Sequence, residues 1–197
     1  MTLPNILTTV RIFSSPLFIL FFLLPHPWCK AMALFIAVYA EVSDLLDGYL
    51  ARKYHCVSET GKLLDPFSDS VFHFSVFLSF LTLGYASLWM IVAIFYRESF
   101  ILWLRWVGLQ QKRVIAARAM GKIKTAMQGT VVIFVALLSL VACWVPMPID
   151  FQKLVWWLMC VITVVTVVSL IEYIWVNADL LKAIVGNRPV QQQTTNS

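Results

Sequence analysis

Six long apolar runs alternate along the chain with short polar or turn-forming stretches. The runs cover residues 12–29, 31–52, 63–83, 86–107, 123–145 and 152–180. Between them lie a proline-rich turn at 25–27, a polar stretch at 53–62, Gly84-Tyr85, a basic stretch at 108–122 and Pro146-Met147-Pro148. Each run is close to the ~20 residues that a helix needs to cross a bilayer. Since backbone exposed to lipid must satisfy its hydrogen bonds internally, the pattern predicts an all-α integral membrane protein with six transmembrane helices.

Composition agrees with this prediction. The chain has 197 residues, of which 60% are hydrophobic and 13% charged, and its mean hydropathy is +0.82. Soluble domains carry roughly 25% charged residues, so a soluble globular protein is excluded. Six spans leave little length for a second unit. We therefore expect a single membrane domain over residues 1–197, with a disordered tail at about 190–197.

The basic residues predict how the helices are oriented. Of fifteen Lys and Arg residues, Lys30 and Lys153 fall at one set of helix ends, and Arg97 falls within a span. The other twelve fall at the opposite ends: Arg11, Arg52, Lys53, Lys62, Arg105, Lys112, Arg113, Arg118, Lys122, Lys124, Lys182 and Arg188. By the positive-inside rule, those ends and both termini face the cytoplasm. The net charge of +5 then suits anionic lipid headgroups, and no nucleic acid is needed to explain it.

Four aspartates occur where charge is costly, at the inner ends of the second and third predicted helices. Asp44 and Asp47 share one helix face, and so do Asp65 and Asp69. We expect the two faces to meet across a short loop. Carboxylates gathered in a low-dielectric site repel one another and cannot all stay ionised without a cation between them. Hard divalent ions, magnesium in particular, bind carboxylates together with substrate phosphates.

The residues between the aspartates are suited to a phosphate-bearing ligand. Gly48 and Gly61 leave room for backbone to approach it closely. Arg52 lies one turn from Gly48, and Thr60 supplies a hydroxyl, so a pyrophosphate would fit. Small residues such as Gly48 and Ala51 also serve helix packing, and Arg52 can be an inner-face anchor. For these residues taken singly, that structural interpretation stays open.

The pattern Asp44-x2-Asp47-Gly48-x2-Ala51-Arg52-x8-Gly61-x3-Asp65-x3-Asp69 resembles the signature of the CDP-alcohol phosphotransferases. These are integral membrane enzymes of phospholipid synthesis with a six-helix core. The resemblance implies two divalent ions, Mg²⁺ or Mn²⁺, and makes Asp69 the general base as well as a ligand. The implied metal ligands are Asp44, Asp47, Asp65 and Asp69. The implied CDP-binding residues are Asn5, Gly48, Ala51, Arg52, Thr60 and Gly61.

Three further stretches resemble the phosphatidylglycerophosphate synthase branch of that family. They are Leu3 to Arg11, Arg97-Glu98 with Leu104-Arg105, and Gly121 to Thr125. This resemblance implies CDP-diacylglycerol and sn-glycerol 3-phosphate as substrates, release of CMP, and a homodimer in the inner membrane of a bacterium. The residues expected to bind the acceptor phosphate are Arg97, Arg105, Arg118, Lys122 and Lys124. Charges at helix ends also satisfy the positive-inside rule without any ligand.

The sequence departs from that branch near the expected acceptor site. Ser70 stands where the branch usually carries Lys, and Phe100, Ile101 and Trp103 are bulkier than its usual residues. Cardiolipin synthase, whose acceptor is phosphatidylglycerol, therefore remains an alternative within the family.

An ion-coupled transporter is an alternative of another class, because His73 lies one turn beyond Asp69 within an apolar run. Transporter sites usually lie near the midplane between repeated halves. The aspartates here lie at helix ends, and the sequence has no repeat. We expect His73 to pack beside the metal ligands without being one.

Overall fold

The computed structural model describes residues 3–53, 59–110, 119–146, 150–178 and 181, excluding the side chains of 3–7, 45, 47–53, 59–65, 109 and 119. Every secondary-structure element in these ranges is an α-helix, so the predicted all-α class is confirmed. The helices are α1 (Leu3–Leu23), α2 (Pro27–Lys53), α3 (Glu59–Thr82), α4 (Leu88–Gln110), α5 (Ala119–Val141) and α6 (Phe151–Val176).

The observed helix boundaries differ most from the predicted ones in α1 and at the turn between α1 and α2. The predicted run 12–29 is wrong as a single helix, because α1 covers Leu3–Leu23 and residues 27–29 already belong to α2. Pro27 is the first residue of α2, where its missing N–H breaks no helical hydrogen bond and its fixed φ suits a helix. α3 also begins earlier than predicted, at Glu59, and continues through Pro66.

The turn before α4 and the start of α6 each depend on one particular residue. Gly84 has φ of 72°, a left-handed conformation that glycine adopts without strain, and its carbonyl accepts a 2.9 Å hydrogen bond from Gln152. Asp150 caps α6 by accepting a 3.2 Å hydrogen bond from the backbone N–H of Lys153. The side-chain hydrogen bond between Lys153 and Asp150 is the main cause of the lowered pKa of Asp150.

The six described helices pack into a closed ring. Each packs mainly against two neighbours, in the order α1, α3, α4, α6, α5, α2 and back to α1. α1 therefore lies between α2 and α3, which meet each other only over a short stretch. The expected meeting of the α2 and α3 faces across a short loop lies mostly outside the described side chains, and over the described part α1 packs against both helices.

The interior of the ring is apolar in one half and polar in the other. The half at the C-terminal end of α1 is filled by buried aromatic rings: Phe18, Phe22, Phe72, Phe77 and Phe80. Phe18 stacks on Phe22 with ring centroids 5.2 Å apart. The other half, at the helix ends predicted to be cytoplasmic, buries charged and polar side chains that include Arg11, Ser43, Ser68, Arg97 and Lys124.

The outer surface of the ring carries large apolar side chains. Exposed examples are Phe13, Phe35, Trp89, Phe134, Trp157 and Ile171. Extensive exposed apolar surface marks a face that contacts lipid or another protein. By length and composition, the segment Met120–Val141 of α5 and α6 from Phe151 to Val176 can each cross a membrane.

Candidate active site

A cavity of about 630 Å³ lies in the polar half of the ring, walled by residues of α2, α3, α4, α5 and α6. Two carboxylates of the aspartate pattern, Asp44 and Asp69, line it. Four predicted cations line it as well, and we refer to them as the cationic wall: Arg97, Arg105, Lys122 and Lys124. Residues that the sequence assigned to the metal site and to the acceptor site therefore share one cavity.

Asp44 is bound by an arginine from the N-terminal helix. The guanidinium of Arg11 donates hydrogen bonds to Oδ1 of Asp44 at 2.9 Å and to Oγ of Ser43 at 3.1 Å. It also donates to Oγ of Ser68 on α3 at 3.5 Å. The side chain of Arg11 is almost fully buried. α1 thus supplies a buried cation beside the first aspartate of the pattern.

Asp69 is in contact with a histidine one turn further along α3. Nδ1 of His73 lies 3.1 Å from Oδ1 of Asp69, and Nε2 lies 3.2 Å from Oε1 of Glu41 on α2. The histidine is buried, and Glu41 lines the cavity with Asp44 and Asp69. This arrangement agrees with the prediction that His73 packs beside the aspartates.

Glu98 joins two residues of the cationic wall. Its Oε1 lies 3.0 Å from Nη1 of Arg97 and 2.5 Å from Nζ of Lys124. Arg97 also donates through Nε and Nη2 to Oγ of Ser169, at 3.2 and 3.0 Å. Two cations share one carboxylate, so this cluster keeps an excess positive charge. Such a cluster is suited to binding an anion.

Three polar atoms of residues that line the cavity are buried without a hydrogen-bond partner among the described residues: Oε1 of Glu41, Nε of Arg105 and the hydroxyl of Tyr173. Oε1 of Glu41 lies 3.2 Å from Nε2 of His73. A buried polar group left unpaired costs about 1–3 kcal/mol, so the other two are suited to contact a ligand. Arg105 was predicted for the acceptor phosphate. Tyr173 was not, because an aromatic residue within the apolar run of α6 is more typical of a core.

Several predicted site residues fall outside what the structure describes. Arg118 lies outside the described ranges, and the positions without described side chains are Asn5, Asp47, Gly48, Ala51, Arg52, Thr60, Gly61 and Asp65. Among the described residues, no three His, Cys, Asp or Glu side chains form a metal-binding group. Asp44 and Asp69, the two aspartates of the pattern whose side chains are described, offer the oxygen ligands that Mg²⁺ and Mn²⁺ prefer, and their place on one cavity fits a divalent ion.

Glu41 and the contacts of Arg11 were not predicted from the sequence. Glu41 lies three residues before Asp44 on the same face of an apolar helix, and this spacing was a usable signal. Arg11 was counted among inner-face charges and in the N-terminal resemblance. Its partner Asp44 is 33 positions away on another helix, so no local pattern indicates the pair.

Comparison with known proteins gives one family. Residues 1–168 match the CDP-alcohol phosphatidyltransferase family. A Bacillus subtilis (strain 168) protein named CDP-diacylglycerol–glycerol-3-phosphate 3-phosphatidyltransferase is 32% identical over 192 residues, which cover 91% of this chain and 97% of that protein. A protein of the same name from Escherichia coli (strain K12) is 34% identical over 131 residues, 64% of this chain and 71% of its own length. A Streptomyces coelicolor protein named cardiolipin synthase (CMP-forming) is 34% identical over 105 residues, 52% of this chain and 49% of its own length.

The match extends through the cavity. It includes the whole pattern from Asp44 to Asp69 and the cationic wall, and it ends close to Ser169. The relatives named above are transferases or synthases by their names. The chain is therefore a transferase and belongs to the CDP-alcohol phosphatidyltransferase family.

Proposed function

We propose that the protein transfers the phosphatidyl group of CDP-diacylglycerol to sn-glycerol 3-phosphate, forming phosphatidylglycerophosphate and CMP. One observation carries the proposal: the carboxylates Asp44 and Asp69 share a cavity with the cationic wall. A nucleotide pyrophosphate and a phosphorylated acceptor are both anions, so their site needs positive charge beside the metal-binding carboxylates. The near full-length similarity to the Bacillus subtilis relative, whose name states both substrates, supports the same reaction.

The proposed chemistry assigns a task to each side of the cavity. A hydroxyl of glycerol 3-phosphate attacks the lipid-side phosphorus of CDP-diacylglycerol, and the bond to CMP breaks. Asp69 accepts the hydroxyl proton. Arg105 and Lys124 bind the acceptor phosphate by charge-assisted hydrogen bonds, which orients the hydroxyl for attack. Divalent ions, held by Asp44 and Asp69 together with Asp47 and Asp65, would stabilise negative charge on the pyrophosphate as it splits.

We also propose that all six helices span the inner membrane of a bacterium as one domain, with the cavity and both termini in the cytoplasm. The apolar outer surface, the polar half of the interior and the twelve basic residues at one set of helix ends support this orientation. One substrate carries two acyl chains while glycerol 3-phosphate and CMP are aqueous, so a site at the membrane interface reaches both. The homodimer expected from the resemblance stays a prediction, to be tested by light scattering of the purified protein.

Transport through the ring receives no support from the packing. The five phenylalanines of the apolar half belong to one buried cluster that also includes Ala33, Ile94 and Val132. In the part of the chain that the structure describes, close-packed side chains of this kind fill the ring beyond the cavity. A site at one end of a closed interior is the arrangement expected for an interfacial enzyme.

Cardiolipin synthesis is the second candidate, supported by the name of the Streptomyces coelicolor relative. To separate the two, purified protein receives CDP-diacylglycerol, Mg²⁺ and one acceptor at a time, and CMP is measured. Release with glycerol 3-phosphate and not with phosphatidylglycerol is expected. Release with phosphatidylglycerol alone would favour cardiolipin synthesis, and no acceptor-dependent release would reject both. Asp44→Asn protein, prepared in parallel, controls for contaminating activity.

A further inference from the structure

His73 joins the aspartate pattern to a carboxylate that the pattern does not contain. Its Nδ1 lies 3.1 Å from Oδ1 of Asp69 and 3.1 Å from the carbonyl oxygen of the same residue. Its Nε2 lies 3.2 Å from Oε1 of Glu41. A carbonyl oxygen only accepts hydrogen bonds, so Nδ1 donates to the carbonyl of Asp69, and the two contacts with carboxylates are close ion-pair distances. One ring therefore connects α3 to α2 beside the cavity.

The imidazole is fixed in place by packing as well as by its polar contacts. Only 5% of the His73 side chain is exposed. Its ring lies 5.9 Å from the ring of Phe72 and 6.0 Å from that of Phe77, measured between centroids. A ring held between aromatic side chains has few rotamers available. The position of Nδ1 relative to Asp69 is therefore set by the core.

Glu41 is in turn held against the backbone of α5. A Cβ placed on Gly129 would lie 2.6 Å from Cδ of Glu41 and 3.0 Å from its Oε1, and such distances do not occur between real atoms without movement. With Glu41 where it lies, a methyl group at Gly129 would force the carboxylate to move. The absence of a side chain at Gly129 thus allows Glu41 to lie between α5 and His73.

We infer that Glu41 and His73 position the carboxylate of Asp69, with His73 fixing its orientation and Glu41 fixing His73. The inference rests on the proposed function, in which Asp69 accepts the proton of the acceptor hydroxyl. The terminal torsion of an aspartate is soft, so a free carboxylate turns easily. With Oδ1 of Asp69 held beside Nδ1, the other oxygen remains for the divalent ion and the acceptor hydroxyl. His73 is a positioning residue, since it acts through Asp69.

The expected effect is large in turnover and small in substrate binding. Outer hydrogen-bond partners of site ligands typically contribute about 10- to 100-fold to activity. A purely structural role for His73 would lower stability and change both Michaelis constants together. A positioning role lowers kcat in a folded protein and leaves the Michaelis constants for CDP-diacylglycerol and glycerol 3-phosphate within about twofold.

The first test compares two substitutions of the histidine. His73→Phe keeps an aromatic ring among Phe72 and Phe77 but removes both ring nitrogens, and we expect kcat to fall about 10- to 100-fold. His73→Asn keeps a donor close to the position of Nδ1, and we expect it to recover a substantial part of that loss. Thr82→Ala, an exposed change at the far end of α3, is the control and keeps full activity. If His73→Phe retains wild-type kcat, or if His73→Asn is no better than His73→Phe, the inference is overturned.

The second test perturbs Asp69 indirectly, through Glu41 and His73, by a substitution that changes no polar side chain. The added methyl group of Gly129→Ala displaces the carboxylate of Glu41, so kcat should fall. The Tm of this variant measures any loss of stability. The double variant His73→Phe/Gly129→Ala should then be no slower than His73→Phe, because both changes interrupt one chain of contacts. Losses that multiply in the double variant would mean that Gly129 and His73 act separately. They would overturn the role given to Glu41.

The outcomes also separate this inference from the proposed function. If the wild-type protein releases no acceptor-dependent CMP, the proposed function fails before any variant is compared. If the wild type is active and the His73 and Gly129 variants match it in kcat, only the positioning inference fails.

Discussion

Arg11 of α1 and Asp44 of α2 form the contact that joins the N-terminal helix to the aspartate pattern. Nη1 of Arg11 lies 2.9 Å from Oδ1 of Asp44. The same guanidinium reaches Ser43 and Ser68, so one buried side chain contacts α2 and α3 from α1. Asp44 is one-third exposed to the cavity whereas Arg11 is not. The buried arginine therefore offsets the negative charge of Asp44 from the protein interior, and it links α1 to α2 and α3.

Replacing this arginine should destabilise the fold. Arg11→Leu removes one partner of Asp44 and the hydrogen bonds to two serines, and we expect a loss of about 1–3 kcal/mol, measured as a lower Tm in detergent. This figure is below that for fully buried pairs because water reaches Asp44. Arg11→Lys, which keeps the charge but not the forked geometry, should fall between the wild type and Arg11→Leu. An unchanged Tm in Arg11→Leu would contradict this structural role.

Activity should require an added divalent cation. Asp44 and Asp69 share one cavity, and carboxylates there bind anionic substrates only through a cation. We expect CMP release to vanish in excess chelator and to return when Mg²⁺ or Mn²⁺ is restored. The Tm in chelator serves as the control for unfolding. Full turnover of folded protein in excess chelator would show that the site does not need a divalent ion.

Asp69 and Asp44 should differ when each is made neutral. If Asp69 is the base, Asp69→Asn lowers kcat about 100-fold or more, as expected for lost general-base catalysis, while CDP-lipid binding survives better than in Asp44→Asn. Binding of a fluorescent CDP-lipid is measured beside turnover for both variants. Equal loss of binding in the two would make Asp69 mainly a metal ligand.

The sequence predicts the helices better than their arrangement. Hydropathy reports contact with lipid, so the apolar runs located all six described helices and the breaks near Pro25 and Gly84. It could not extend α1 back to Leu3, because Asn5, Thr8 and Arg11 are polar, and the structure buries Thr8 and Arg11 inside the ring. The ring order depends on side-chain packing between distant segments, for which local periodicity carries no signal.

The site was predictable where its residues are close in sequence. Spacings of three and four residues put the aspartates on common faces, and cations near helix ends were recognised one by one. The pair Lys124 and Glu98 joins α5 to α4 across 26 positions, and the pair His73 and Glu41 joins α3 to α2. These contacts arise only when the ring closes. The same holds for Gly129, whose importance comes from a neighbour on α2 rather than from a turn.

The acceptor assignment is tested most directly on the cationic wall. Arg105 has a buried, unpartnered Nε among the described residues, and Lys124 is shared with Glu98. A charge-assisted hydrogen bond contributes about 1.5–3 kcal/mol, so Arg105→Ala and Lys124→Ala should each raise the Michaelis constant for glycerol 3-phosphate about tenfold or more. The constant for CDP-diacylglycerol should change little.

Lys153→Ala is the matched control for this prediction. Lys153 is exposed, pairs with Asp150 at the start of α6 and lies outside the cavity, so its removal should leave both Michaelis constants unchanged. Size exclusion in detergent checks that each variant is folded. If the glycerol 3-phosphate constant is unmoved in folded Arg105→Ala and Lys124→Ala, these side chains do not bind the acceptor phosphate. Phosphatidylglycerol, an acceptor with less charge to neutralise, then becomes the better candidate, and turnover with it should be insensitive to the same two substitutions.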